Sequence, residues 1–218
     1  MTGLVVAMDG PAGSGKSSVS RGVARALGLR YLDTGAMYRA MTWWMLQQGV
    51  DLADPAAVAA RAGEPEIVCG TDPDGPSIHV GGVDVAGPIR EAEVTGAVSV
   101  VAAVPEVRAR LVHLQREIIG VGDIVVEGRD IGSVVAPDAT VKVYLTASAE
   151  ARALRRTAEL SGTTVEAQQA AMAKRDTLDS TRKTDPLSMA DGAVELDTTP
   201  LTLEEVIGEV LSLIKERT

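Results

Sequence analysis

A chain of 218 residues with 45% apolar content suits one domain, or one domain carrying an insert, with ample material for a core. A formal net charge of −9 argues against a general nucleic-acid or anionic-membrane surface, so any anion site has to be local. The single cysteine, Cys69, and the two scattered histidines, His79 and His113, provide neither an intrachain disulfide nor a metal-ligand cluster, and the longest apolar run, near Val94 to Val104, is too short to span a bilayer.

The N-terminal stretch MTGLVVAMDG has no basic region and enters a strand at once, so no leader is expected and the chain reads as cytoplasmic. The apolar run Leu4 to Met8 predicts that strand. Directly behind it stands GPAGSGKSS, in which Gly10, Gly15, Lys16 and Ser17 fill G-x-x-x-x-G-K-[ST], followed by a helix-compatible stretch from Ser17 to Leu27. Strand, glycine turn and helix start in that order build an anion nest: consecutive N–H groups share one concavity, and the helix adds unpaired donors and the positive end of its dipole. Gly10, Pro11, Ala12, Gly13, Ser14, Gly15, Lys16, Ser17 and Ser18 are therefore the candidate ATP-binding residues. Lys16 would reach the outer phosphates and the Ser17 hydroxyl would be a ligand of the accompanying magnesium.

A second strand is expected near Leu29 to Leu32, ending in Asp33-Thr34-Gly35-Ala36-Met37-Tyr38-Arg39, where a hydroxyl and an arginine stand at a helix start. Asp54-Pro55 reads as an N-cap with proline at the first helical position. Between about Gly63 and Ser99 the texture changes to short strand-like pieces broken by Gly and Pro, which predicts a small antiparallel sheet inserted into an α/β core, either a substrate clamp or decoration. Ile124 to Val126 is the next strand, with Glu127-Gly128-Arg129-Asp130 at its end. An acid and an arginine there serve either as an intramolecular ion pair or as a cleft grip.

After the strand Val141 to Leu145 come Arg152, Arg155 and Arg156, and then Arg175, Asp179 and Arg182, whose spacings of four and three put them on one face of a helix. Val194 to Leu196 is the last strand. A capping box, Thr202 with Glu205, opens a final helix whose apolar face carries Leu203, Val206, Ile207, Val210, Leu211 and Ile214. Strands alternating with helices predict a parallel sheet with crossover helices, and ligands in such sheets sit outside the carboxyl ends of the strands.

Taken in order and spacing, GPAGSGKSS, LDTGAMYRA, AGPIREAEV, VPEVRARL, EGRDIGSVVAPDA and RDTLDSTRKTDPL resemble the bacterial cytidylate kinase family, from about residue 4 to residue 211. The resemblance implies an α/β phosphate-loop kinase that moves the γ-phosphoryl of ATP onto CMP or dCMP with magnesium, and that acts on small molecules rather than on a nucleic acid polymer or a membrane. It further implies an antiparallel insert at about 63–103 as the monophosphate-binding part and a mobile lid at about 152–164. Thr34, Arg39, Arg129 and Arg182 then grip the acceptor phosphate, Ser99, Arg108 and Asp130 read cytosine, and Arg175 and Asp179 lie near the sugar. Lys16, Arg129, Arg152 and Arg156 offset the charge on the transferring group. Glu127 and Lys174 depart from the family pattern, where Asp and Arg are expected. Two rivals make different demands. A GTPase-type switch needs an N-K-x-D guanine reader, which a chain without asparagine lacks, and a shikimate-type kinase needs a shorter acceptor region. Small size favours a monomer.

Overall fold

The computed structural model describes residues 3–159 and 163–218. Leu160, Ser161 and Gly162 of the expected lid lie outside the described residues. Five strands, β1 (Val5–Asp9), β2 (Arg30–Asp33), β6 (Ile124–Glu127), β7 (Val141–Thr146) and β8 (Val194–Asp197), form one parallel sheet in the order β2-β6-β1-β7-β8. Each lies within a residue or so of its sequence expectation. The central strands β1 and β6 are continuous apolar runs rich in β-branched residues because both sheet faces are covered there.

Alternation along the strands divides the core in two. Ala7, Leu32, Ile124 and Val126 point to one side, where they meet α2 (Thr34–Gln47), α4 (Ala92–Ala102) and α5 (Pro105–Ile119) through Met37, Met41, Val101 and Leu111. Val6, Met8, Val125 and Val143 point to the other side, against α1 (Lys16–Leu27) and α8 (Leu203–Arg217) through Val19, Val23, Val206, Val210 and Ile214. The Thr202–Glu205 capping box is formed, and Leu203 is the one residue of the expected apolar face that stays exposed.

The insert begins as expected. A short helix α3 (Pro55–Arg61), capped by Asp54, precedes an antiparallel sheet of β3 (Ile67–Cys69), β4 (Ile78–Val80) and β5 (Val83–Asp84). From Pro88 onward the expectation of sheet is wrong. A 3₁₀ turn (Pro88–Arg90) leads into α4, because Val94, Val98 and Val101 recur at helical spacing and bury against α2 despite their β-branching. Helices α6 (Ala149–Glu159) and α7 (Val165–Thr181) pack on each other beside the carboxyl end of the sheet. Helix α7 ends before Arg182, whose ψ of 144° is extended, while the Leu187 N–H bonds back to the Asp179 carbonyl at 2.8 Å. Arg182 is thus not on the helix face with Arg175 and Asp179, although the returning chain keeps it beside them.

Candidate active site

Strand β1 runs into the glycine loop through a turn that only glycine tolerates. Gly10 has φ +146°, and a Cβ there would lie 2.1 Å from the Leu145 carbonyl oxygen. Gly15, at φ +87°, precedes α1, and among the described residues no side chain caps that helix. The first-turn N–H groups therefore stay open to an anion. The Lys16 ammonium, almost wholly buried, donates to the Pro11 carbonyl at 2.7 Å and approaches Ser14 Oγ at 3.4 Å. Burial, with Arg129 nearby, pushes its pKa down to about 7, the behaviour of a cation short of its anion.

The Ser17 hydroxyl donates to Glu127 Oε2 at 3.0 Å, and the Tyr31 hydroxyl donates to Glu127 Oε1. Burial, followed by Asp33, pushes Glu127 above the usual carboxylate range. Ser17 and Glu127 present hard oxygen donors at the mouth of the loop. Such a set fits magnesium, which takes one or two protein oxygens and leaves its other positions to phosphate and water. Asp9, which the sequence reading did not single out, closes β1: its carboxylate accepts the N–H groups of Ile131 and Gly132, each at 2.8 Å. Burial pushes it up to about 6 in spite of those bonds. Its signal was an acid at the carboxyl end of a buried central strand.

On the opposite wall, Thr34 Oγ1 donates to the Glu127 carbonyl at 2.7 Å, and Asp33 both caps α2 and holds Arg39 Nη2 at 2.9 Å. Arg129 ties the two halves together, donating to the Gly10 carbonyl at 3.1 Å and to Asp179 Oδ2 at 3.1 Å. Asp179 also accepts Ser99 Oγ at 2.9 Å. Its burial alone would raise its pKa, but Arg129 and Ser99 outweigh that and hold the carboxyl below the usual range. Beside it, Arg175 is pushed down to about 10 by burial and by Arg129, and its Nε has no hydrogen-bond partner among the described residues.

Arg108 lies deeper, 1% exposed, with its guanidinium over the Tyr38 ring at 5.6 Å from the centroid. It donates through Nη2 to Asp130 and through Nε to Asp185 Oδ2 at 2.7 Å, while Arg182 Nη2 stands 3.6 Å from the other Asp130 oxygen. Of the lid arginines, Arg152 is bound to the Ala12 carbonyl at 2.9 Å and to Asp176 at 2.5 Å. Arg155, which stands with Arg152 and Arg156 in the arginine cluster after β7, holds Thr198 beside the glycine loop.

One cavity of about 1310 Å³ joins these groups. Its walls include Ala12 to Ser18, Thr34, Arg39, Ser99, Arg129, Asp130, Arg156, Arg175, Asp179 and Arg182. Gly10, Pro11, Arg108 and Arg152 are outside its lining: the first two belong to the turn, and the last two are paired with Asp130 and Asp176. Asp33, Asp176 and Asp185, which hold Arg39, Arg152 and Arg108, lie within the LDTGAMYRA and RDTLDSTRKTDPL stretches, but nothing in their spacing assigns them these partners.

The sequence profile described as cytidylate kinase matches residues 6–216. The chain belongs to the cytidylate kinase family. Within that family, a Streptomyces coelicolor cytidylate kinase is 62% identical over 216 residues, covering 98% of this chain and 94% of the relative. A Mycobacterium leprae cytidylate kinase is 51% identical over 222 residues, covering 100% and 98%. Among solved structures, a shikimate kinase from Acinetobacter baumannii, determined in complex with shikimate, matches with a TM-score of 0.50 at 16% identity, covering 99% of this chain and 94% of that one, a likeness of fold alone. As a member of the cytidylate kinase family the chain is a phosphotransferase that phosphorylates a nucleoside monophosphate with ATP. Among the described residues no helix is long and apolar enough to cross a membrane.

Proposed function

We propose that the chain transfers the γ-phosphoryl group of ATP directly and in line onto CMP and dCMP, giving CDP and dCDP. The observation that carries this reading is the continuous cavity, whose lining joins a nest of loop amides and Lys16 to Arg39, Arg129, Arg175 and Arg182. A monophosphate oxygen attacks the γ-phosphorus as the bond to the β-bridging oxygen breaks and ADP leaves. The attacking oxygen is already ionised, so no general base is needed, and catalysis reduces to positioning and charge neutralisation.

In this reading residues 10–18 hold the donor polyphosphate, and Thr34, Arg39, Arg129 and Arg182 hold the acceptor phosphate. Arg175 and Asp179 meet the sugar, and Lys16, Arg129, Arg152 and Arg156 offset charge on the group in transit. Magnesium supplies further charge neutralisation on the donor phosphates, and Ser17 with Glu127 would hold it or its waters. Residues 63–103 form the monophosphate-binding part and the segment at about 152–164 the lid, in a monomer acting on small molecules in the cytoplasm.

Cytosine offers an N4 amino donor beside N3 and O2 acceptors, so the carboxylate of Asp130, the guanidinium of Arg108 and the hydroxyl of Ser99 are a complementary set. Uracil reverses two of those polarities. Unpaired buried polar groups then give a preference for CMP over UMP on the order of a hundredfold or more. Titrating CMP, dCMP, UMP, AMP and GMP in a coupled ADP-release assay tests the reading. CMP and dCMP are both expected to be good acceptors, UMP markedly worse, and the purines nearly inactive by size. Equal use of UMP and CMP would refute it.

A further inference from the structure

Asp185 lies outside the main cavity, four residues past the end of α7, yet it touches both arginines that flank Asp130. Its carboxylate accepts Arg108 Nε at 2.7 Å, and its backbone carbonyl accepts Arg182 Nε at 2.6 Å. Both guanidinium groups also reach Asp130, Arg108 through a hydrogen bond and Arg182 at 3.6 Å. The four residues therefore close a ring of two cations and two anions in which Asp130 and Asp185 occupy opposite corners.

Two features make Asp185 more than a surface partner. Its φ of +48° lies in the left-handed region, a conformation that costs energy for a residue other than glycine and persists only where the surroundings impose it. The Arg108 side chain is 2% exposed, so its Nε depends on the groups packed against it, whereas Asp185 itself keeps 28% of its side chain accessible. An arginine held only by Asp130 could rotate about its terminal torsions. Fixing Nε as well leaves one orientation for the guanidinium plane.

We infer that Asp185 is a positioning residue for recognition of the acceptor base: by holding Arg108 through Nε and Arg182 through its carbonyl, it fixes the plane in which Arg108 and Asp130 meet the base. The inference rests on the reading above, in which Arg108 and Asp130 recognise cytosine. In this ring the Arg108 and Arg182 guanidinium groups stand between the two carboxylates.

Steady-state kinetics with CMP and UMP on the full chain test this, using Asp185→Ala, Asp185→Gly, Asp185→Asn and, as a control on the base reading, Asp130→Ala, with folding of each checked by thermal unfolding. Glycine adopts the left-handed backbone without strain, so Asp185→Gly separates loss of the carboxylate from loss of the turn. Asparagine tolerates that backbone and still accepts a hydrogen bond from Nε. The Ala and Gly variants are expected to lower kcat/KM for CMP by about tenfold to a hundredfold, chiefly through KM, and to narrow the CMP-to-UMP ratio, with Asn recovering most of the loss. A wild-type ratio in folded Ala and Gly variants, alongside a collapsed ratio in Asp130→Ala, would overturn the role of Asp185 and leave the base reading standing. A wild-type ratio in Asp130→Ala would overturn both.

Discussion

Removing the carboxylate of Asp179 strips the acceptor wall of its central acid. The side chain is 8% exposed and accepts hydrogen bonds from Ser99 Oγ at 2.9 Å and from Arg129 Nε at 3.1 Å. A charged hydrogen bond contributes about 1.5–3 kcal/mol, and Asp179→Ala also leaves Arg129 and Arg175 facing each other without an anion. Breaking a buried pair from one side costs about 3–5 kcal/mol, which sets the expected loss of unfolding free energy. Asp179→Asn keeps an acceptor for Ser99 and loses only the charge, so it is expected to lie between Ala and wild type. Urea unfolding followed by the fluorescence of Trp43 and Trp44 measures these differences. The pH dependence supplies a second check. Asp179 titrates below its ordinary value of 3.8, so its contribution is present above that value and is lost as pH falls through the lower folded-state pKa. The gap between wild type and Asp179→Ala must therefore shrink on acidification. A loss under about 1 kcal/mol, or a gap that widens at low pH, would refute the assignment of Asp179 as the charged anchor of this wall.

Lys16→Ala is expected to leave the fold intact and to lower kcat at least a hundredfold on the order of other lost transition-state contacts, as ADP release measures; wild-type turnover in a folded variant would remove the loop lysine from the mechanism. Lys16 titrates near 7 when unliganded, and an adjoining polyphosphate raises that value. Nucleotide binding at neutral pH should then take up protons, and affinity should fall as pH rises above about 7, which calorimetry in buffers of different ionisation enthalpy detects. Gly10→Ala places a Cβ 2.1 Å from the Leu145 carbonyl at a φ of +146° and should destabilise the chain by at least about 2 kcal/mol in denaturant unfolding. ATP hydrolysis without a monophosphate should be slow, because an open, wet site leaves the arginine charges unassembled; rapid ADP release from ATP alone would contradict that.

The phosphate loop, the five parallel strands and the final amphipathic helix were legible in the chain because each depends on neighbours no more than a few residues apart. A glycine that must take positive φ, a β-branched run covered on both faces and a capping box announce themselves locally, and the placing of Thr34 and Arg129 at strand ends followed from the topology they imply. The family motifs carried the remaining site residues. Local reading failed where packing overrode propensity, as in α4, whose valines lie against α2 as a helix, and at Arg182, where the chain leaves α7 one residue early. The long-range partners of the buried polar groups were decided by tertiary structure alone. Arg108 meets Asp185 across 77 positions, Ser99 meets Asp179 across 80 and Arg129 reaches the Gly10 carbonyl across 119. No periodicity encodes such pairs, since they depend on how the ends of separately formed strands and helices converge once the core has packed, and burial then makes each unpaired charge costly enough to select its partner.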